Sequence, residues 1–420
     1  MIDWFKNEIH QGRTLLSYGM LRVGGLGFSF LMPIILAVYL SPEVLGIYSL
    51  GMMIVYGFNS TIVLSSSKPT IVFGVEEFAK NQKISRTITS RMIVLCISFI
   101  LFVFVIFLLK NQIILFTKLT ESQVFLLIPV FFGMIVESFV AGVFVALNHR
   151  IRESLFLLVS SGISIILLIM TQYLWEITLE KLFVIFFISP TVTACFFIKK
   201  SEYEKFMPLI YDKSAFKPFI HYTRWMALGG TSVYLLNWGD NIILRKLATM
   251  EEIGVYNLGY QFFKGQIMIL AIMRIYFLPF ISEHINNKEK IVDYLTNKRQ
   301  KLMLLGLVFL VFLFFIVPEF VSITYKGRYE ESVVVFRILM IGALCTLYSL
   351  FYDAIFDSLK KYRIIQTFTA CCVVVNLLLD YILVSHIGFI GAAMATALSY
   401  FLLSCAKVFY FKKYCQPLIL

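Results

Sequence analysis

Long apolar runs separated by short clusters of charged residues are the feature that most constrains this sequence. The chain contains about twelve such runs of about 20 residues, the length that an α-helix needs to cross a bilayer. Of its 420 residues, 59% are apolar and only 15% are charged, which is too few charges to cover the surface of soluble domains. The sequence therefore predicts an all-α integral membrane protein.

The predicted spans form two sets of six. They cover residues 14–40, 44–66, 92–109, 122–147, 154–174, 182–198, 219–244, 253–280, 302–317, 333–358, 364–385 and 387–411. We expect an N-terminal lobe at 1–199, a cytoplasmic linker at 200–218 and a C-terminal lobe at 219–420. The predicted connections are short, so function is expected to lie within the helices and their short loops.

The distribution of Lys and Arg sets the orientation. The net charge is +12, which would fit nucleic-acid binding if the charges formed one patch. Instead, the connections on the side of the N-terminus hold roughly three times as many Lys and Arg as the opposite side. Positive residues favour the cytoplasmic side. The sequence thus predicts cytoplasmic termini and excludes a nucleic-acid partner.

An internal repeat divides the chain. Residues 42–51, PEVLGIYSLG, reappear as MEEIGVYNLG at 250–259, about half the chain length later. Each copy joins the first and second spans of its half. Because six spans separate the copies, the two halves have the same orientation. Parallel duplicated halves are typical of transporters, which place the substrate pathway between the halves.

Several motifs carry a family resemblance. They are an acidic residue followed by Gly-x-Tyr in each repeat copy, Asp240 before an aliphatic run, LPFISE at 278–283 and GFIGAAMAT at 388–396. Together they resemble the polysaccharide-export flippases, above all the O-antigen type. These flippases belong to the multidrug/oligosaccharidyl-lipid/polysaccharide (MOP) exporter superfamily. The resemblance extends over nearly the whole chain.

The resemblance implies a fold and a function. The expected fold is two parallel six-helix lobes around a central cavity, working by alternating access. The expected cargo is an undecaprenyl-diphosphate-linked oligosaccharide, an O-antigen or capsule-type repeat unit, flipped across the bacterial inner membrane and driven by Na+ or H+. Expected partners are this cargo, membrane lipids and, loosely, a polymerase and a chain-length regulator. Neither enzymatic activity nor an organic cofactor is expected.

Polar residues in the C-terminal half form a candidate cation site. Asp240, Asn376, Asp380 and Thr396 lie about 6 to 13 Å from the outer ends of their predicted helices, at about 1.5 Å per residue. Carboxylate, amide and hydroxyl oxygens suit a small hard cation. The resemblance implies a sodium site here, completed on the last helix by Ala392 and Thr396. Helix-to-helix hydrogen bonding and proton binding remain alternatives.

Basic residues inside the spans form a second group. They are Arg22 in the first predicted span and Lys264 and Arg274 in the eighth. The first and eighth spans line the cavity in the family that this sequence resembles. A diphosphate headgroup needs cationic donors, and Arg offers a bidentate fork. The alternative is that these long side chains extend to the membrane surface.

Glu137 is the remaining candidate. It lies near the middle of the fourth predicted span, where a charge is costly and needs a reason. The sequence leaves two interpretations open: a buried pair with an arginine such as Arg22, or an ion or proton relay during transport.

Other function classes share parts of this pattern. A cation-coupled multidrug exporter of the same superfamily would favour an acidic and aromatic cavity, whereas the deep residues here are more often basic. A membrane-embedded polysaccharide polymerase would need catalytic residues in a sizeable outer loop, and none is predicted. The five histidines and seven cysteines have no metal-ligand spacing.

The predicted orientation can be tested by labelling introduced cysteines from outside the cell. Cysteines placed next to Glu121, Glu176, Glu330 and His386 should react with a membrane-impermeant reagent. Cysteines next to Lys83, Asp212 and Lys290 should react only after permeabilisation, because these loops carry the excess of positive charge. External labelling at Lys83 or Lys290 would reverse the topology.

Overall fold

The fold is known from a computed structural model that describes residues 30–285, 287–359 and 361–419, together with residues 21, 24, 25, 27 and 28. Within these residues the regular structure is helical and no strand occurs. This follows from the apolar runs, because a chain in lipid must satisfy its backbone hydrogen bonds within each segment and the helix does so.

Helices of the first half are numbered in chain order. They are α1 (Phe30–Tyr39), α2 (Pro42–Phe58), α3 (Ser67–Asn81), α4 (Ser85–Leu108), α5 (Lys110–Thr117), α6 (Glu121–Ala146), α7 (Arg150–Leu174), α8 (Leu179–Phe197) and α9 (Lys200–Phe206). A π-helical turn at Asn59–Val63 and a 3-10 turn at Leu64–Ser66 join α2 to α3.

The second half continues the numbering. Its helices are α10 (Lys213–Leu247), α11 (Met250–His284), α12 (Lys288–Asp293), α13 (Arg299–Tyr325), α14 (Glu331–Ser358), α15 (Tyr362–Ile387), α16 (Phe389–Tyr410) and α17 (Gln416–Ile419). π-helical turns at Tyr294–Lys298 and Phe411–Cys415 link α12 to α13 and α16 to α17.

The predicted fold class is confirmed. In the described part of the chain, nine helical segments are long and apolar enough to cross a membrane. They correspond one by one to nine of the predicted spans, and α1, α10 and α11 match the other three. The last two are 35 residues long, and they carry three of the candidate site residues, Asp240, Lys264 and Arg274.

Several boundaries differ from the sequence prediction. In the second half, α10 begins at Lys213 rather than at 219, and α13 ends at Tyr325 rather than at 317. In the first half, two differences change the assignment of charged residues. The second span was expected to end at 66, but helix continues through its irregular turns to Asn81. The third span begins at Ser85 rather than at 92, which brings Arg91 inside it. Charged residues in 67–81 and at Arg91 suggested loops. A helix can extend beyond the bilayer, which accounts for the first segment. A buried arginine is tolerated where neighbouring groups accept its hydrogen bonds, which accounts for the second.

The chain divides into two compact units. One contains Leu50–Tyr234 and the described residues up to Ile35; the other contains Leu36–Ser49 and Leu235–Leu420. In the first unit α6 packs against α3, α4, α7 and α8, and in the second α14 packs against α11, α13 and α16. These central helices are the fourth and tenth predicted spans, so they occupy matching places in the repeat. The lobe boundaries at 199 and 219 stay a prediction.

The two copies of the repeated segment pack against each other within the second unit. A Cβ atom added to Gly46 would lie 2.1 Å from the carbonyl oxygen of Met250, and one added to Gly254 would lie 1.9 Å from that of Pro42. The contact is reciprocal, since Gly46 and Pro42 in one copy correspond to Gly254 and Met250 in the other. Glycine is required here because no side chain fits between the two backbones.

Adding one methyl group at either glycine should therefore destabilise the protein. Gly46→Ala and Gly254→Ala should each lower the free energy of unfolding by about 1–3 kcal/mol, because the backbones must separate. Thermal unfolding in detergent measures this. Gly27→Ala is the matched control, since nothing lies within 4 Å of the added carbon. Equal melting temperatures for all three variants would contradict the close contact.

Candidate functional site

The residues of the predicted cation site come together in the second unit. Asp240 lies on α10, and Asn376 and Asp380 lie one turn apart on one face of α15. Thr396 lies on α16, one turn after Ala392. All five residues are buried. We define Asp240, Asn376, Asp380 and Thr396 as the oxygen cluster.

A tight connection brings α15 and α16 close enough to form the cluster. Gly388 separates the two helices with a φ of +67°, a conformation that favours glycine. A Cβ atom on Gly391 would lie 2.4 Å from the carbonyl carbon of Leu383, so the helices touch through their backbones at this point. The close packing leaves Thr396 opposite Asn376.

Hydrogen bonds join the members of the cluster across three helices. The Thr396 hydroxyl donates to Asp240 Oδ2 over 2.8 Å, and Asn376 Nδ2 donates to Thr396 Oγ1 over 3.4 Å. The hydroxyl of Tyr256 on α11 donates to the same oxygen of Asp240. Asp380 completes the cluster, and its carboxyl group lies next to that of Asp240.

Buried oxygens without a hydrogen-bond donor are concentrated in this cluster. It contains four of them: Oδ1 of Asp240, Oδ1 of Asn376 and both carboxylate oxygens of Asp380. Unpaired buried carboxylate oxygens are costly. Carboxylate, amide and hydroxyl oxygens with free lone pairs are hard ligands that fit a small cation such as sodium. Ala392 is buried within a helix and offers at most its backbone carbonyl.

A stripe of aromatic rings leads from the cluster to Lys264. Tyr256, Tyr260 and Lys264 follow one another at four-residue intervals along α11, so they share one face. The two tyrosine rings stack with centroids 5.8 Å apart. Lys264 Nζ lies 5.1 Å from the Tyr260 ring and 4.5 Å from that of Trp238 on α10. We name these four residues the aromatic-lysine stripe.

Lys264 is held by rings rather than by a carboxylate. Among the described residues it has no ion-pair partner within 4.0 Å, and its cation interacts with the faces of Trp238 and Tyr260 instead. An ammonium group held in this way keeps its charge available for an anionic ligand. The sequence identified Lys264 but missed the stripe, although the spacing of the two tyrosines and the lysine was readable.

The other two predicted cations cannot be placed. Arg22 lies outside the described residues. Arg274 lies within α11, but its side chain is outside the described part. Their predicted role in headgroup binding stays a prediction.

Glu137 lies on α6 in the first unit and is partly buried. Ser160 of α7 donates a hydrogen bond to its Oε2 over 3.4 Å, and Tyr56 of α2 lies close enough to interact with its charge. These neutral neighbours show how the carboxylate is accommodated in the membrane. They leave both interpretations, a pair with Arg22 and a relay, as predictions.

Arg91 is a buried charge that sequence reasoning missed, since it was assigned to a loop. It is fully buried on α4 and donates to the carbonyl oxygen and hydroxyl of Ser138 over 2.7 and 2.8 Å, and to the hydroxyl of Ser67 over 3.2 Å. Gly142 makes room for its guanidinium group. Arg91 thus ties α4 to α6 and to the start of α3, next to the irregular turns that follow α2.

A second buried charge lies between α14 and α16. Lys407 Nζ forms an ion pair with Asp353 Oδ2 at 2.9 Å, and both side chains are about nine-tenths buried. Both residues lie near the inner ends of their predicted spans. The two helices pack closely enough to pair the charges with each other.

The described residues contain no group of three or more His, Cys, Asp and Glu side chains that could hold a metal ion. A sodium site differs, because neutral amide and hydroxyl oxygens share the coordination with carboxylates.

Comparison with known families identifies the chain. The family described as "Polysaccharide biosynthesis protein" matches residues 12–284, which is well over half of the sequence. The chain belongs to this family. No curated protein sequence matches it significantly.

Solved structures give the fold of this polysaccharide biosynthesis protein. An inward-facing multidrug resistance MATE family transporter of the MOP superfamily matches with a TM-score of 0.80 and 13% identity, over 93% of this chain and 94% of its own. The lipid II flippase MurJ matches with a TM-score of 0.74 and 13% identity, over 95% and 87%. An outward-facing MATE transporter of the same superfamily matches with a TM-score of 0.63, 14% identity and coverage of 96% and 95%. The resemblance found in the sequence is thereby confirmed.

Proposed function

We propose that this protein is a flippase for an undecaprenyl-diphosphate-linked oligosaccharide, an O-antigen or capsule-type repeat unit. It would carry this molecule from the inner to the outer leaflet of the bacterial cytoplasmic membrane by alternating access. Membership of the polysaccharide biosynthesis family supports the glycan, and the shared fold of MurJ, a lipid II flippase, supports a lipid-linked cargo. The fold shared with MATE transporters and MurJ supports transport rather than polymerisation.

The observation that carries the proposal is the link between the oxygen cluster and Lys264. An ion can drive a conformational cycle only if it stabilises one state more than another. A cation bound by Asp240, Asp380 and Thr396 would tie α10, α15 and α16 together. It would also compete with the Tyr256 hydroxyl for Asp240, and Tyr256 is stacked on the ring that supports Lys264.

Lys264 would meet the diphosphate of the cargo. An ammonium group supported by two rings is a point charge with three donors, which suits phosphate oxygens without demanding one geometry. An ion bound at the oxygen cluster would then change the position of Lys264 through the stripe on α11. Helix α11 would thus link the ion site, through Tyr256, to headgroup binding at Lys264.

Sodium is the coupling ion that the oxygen chemistry favours, with protons as the competing choice. The alternative cargo is a small organic cation, as in the multidrug transporters that share the fold. The ammonium of Lys264, which has no ion-pair partner among the described residues, argues against it, since like charges repel. An export assay with both classes of substrate separates the two.

Sodium should raise the thermal stability of the purified protein. The increment should follow mass action, reaching about 2.7 kcal/mol at a sodium concentration of 100 times Kd. Potassium or choline at equal concentration should give no increment, because neither fits a compact oxygen site. The measurement is a melting curve at constant ionic strength.

Variants of the cluster sharpen this test. Asp240→Asn and Asp380→Asn should abolish the sodium increment, whereas Asp293→Asn, which removes an exposed carboxylate paired with Lys298, should retain it. If wild type gains stability from lower pH instead of sodium, and both cluster variants lose that gain, the coupling ion is a proton.

Lys264→Ala should reduce export of the lipid-linked oligosaccharide by at least about tenfold, because a desolvated charged contact to phosphate is lost. Lys264→Arg should retain most activity, since the charge remains over the rings. Surface polysaccharide and inner-leaflet intermediate are measured at matched protein levels. Lys301→Ala, an exposed lysine at the start of α13, is the control. Normal export by Lys264→Ala together with Arg274→Ala would exclude headgroup capture by these residues.

A further inference from the structure

An apolar groove follows the surface of the second unit between α14 and α16. Its volume is about 550 Å³, and its walls include Leu344 and Tyr348 of α14 and Phe401, Cys405 and Phe409 of α16. Each of these side chains has a large exposed fraction. The groove lies within membrane-spanning helices, so its apolar walls suit a hydrocarbon chain.

The base of the groove is held in shape by internal contacts. Ser349 and Ser404 lie 3.0 Å apart at their hydroxyl oxygens, and Ser404 donates to the carbonyl of Cys345 over 2.9 Å. One turn further along, Lys407 pairs with Asp353. These polar groups bind each other across the helix interface, so the groove is preformed.

Lys412 lines one end of the groove directly. A second cation, Arg299, does not line the groove but contacts its wall. The guanidinium of Arg299, in the first turn of α13, lies 4.7 Å from the Tyr348 ring and 4.8 Å from the Tyr352 ring. Its Nε is buried without a hydrogen-bond partner, and neither cation forms an ion pair with any residue that the structure describes. The predicted topology places this end in the cytoplasmic leaflet.

We propose that the groove binds a phospholipid with an anionic headgroup, such as a phosphatidylglycerol. One acyl chain would fill the apolar groove, and the phosphate would accept hydrogen bonds from Arg299 and Lys412. Basic pockets between helices on the cytoplasmic side bind headgroups of this kind, and an arginine held by rings is oriented for phosphate. A zwitterionic lipid fits less well, because its own cation offsets the attraction.

The bound lipid would stabilise the unit that contains the oxygen cluster. Its phosphate would join α13 to the end of α16, the helix that carries Thr396. The site is distinct from the oxygen cluster and from Lys264, and lipid binding there requires no transport. It can therefore fail or succeed independently of the flippase proposal.

Lipid retention by the purified, delipidated protein tests the site. Native mass spectrometry with phosphatidylglycerol or phosphatidylcholine should show at least roughly tenfold tighter retention of the anionic lipid, given two cations near the headgroup. Arg299→Gln combined with Lys412→Gln should remove this preference. Lys288→Gln combined with Lys301→Gln removes the same net charge from exposed positions and should preserve it.

A second set of measurements addresses the acyl chain. Leu344→Trp should reduce retention of both lipids by filling the groove, whereas Leu305→Trp, at an exposed position of α13, should not. In the wild type, phosphatidylglycerol should slow alkylation of Cys405 more than phosphatidylcholine does. Peptide mass spectrometry distinguishes Cys405 from the other exposed cysteines, Cys96, Cys195 and Cys371. This readout needs no variant and so remains valid if a variant fails to fold.

Three results would overturn the proposal. The first is equal retention of the two lipids by the wild type. The second is an unchanged preference in the Arg299 and Lys412 variant. The third uses undecaprenyl phosphate as the probe: if it displaces phosphatidylglycerol from the wild type and depends on the same two cations, the groove holds the tail of the cargo rather than a membrane phospholipid.

Discussion

The energetic cost of polar groups in a low-dielectric interior governs this protein. A buried charge in a membrane must find a partner, a set of hydrogen bonds or an aromatic face. Arg91 has serine oxygens, Lys407 has Asp353 and Lys264 has two rings. The oxygen cluster brings several such atoms together, because three of its buried carboxylate oxygens lack a hydrogen-bond donor. The proposed cation would satisfy these oxygens.

The duplicated architecture supplies the scaffold, and divergence of one half supplies the site. The symmetric contact of Gly46 and Gly254 preserves the repeat at the level of backbone packing. Arg91 and Arg299 stand at matching positions of the two halves, each at the start of its third predicted span and packed on the central helix of its unit. The position in the first half that corresponds to Asp240 is Met32. The carboxylate at this position is therefore present in one half only.

Helix α11 connects the elements of the proposed mechanism. Its first turns contain the repeat glycine, its next turns present Tyr256 and Tyr260, and Lys264 follows on the same face. A change of partner at Asp240 would be felt by Tyr256 first, since that hydroxyl shares the carboxylate. A rigid helix transmits such a change along its length more effectively than a loop would. This favours α11 as the element that both ligands bias.

Sequence alone determined the all-helical membrane fold class, because hydrophobic length and charge clusters are local properties that decide whether a segment enters the bilayer. The repeat was visible in the sequence as well. Sequence also selected Asp240, Asn376, Asp380 and Thr396, whose helical depths could be estimated from counting. It could not place Arg91 in the membrane or reveal the Lys407–Asp353 pair, because partners such as Ser138 and Asp353 are distant in the chain. Only the tertiary structure decided that Tyr256 shares Asp240 with Thr396 and that rings rather than a carboxylate hold Lys264. Such contacts depend on how helices pack, and no local pattern encodes them.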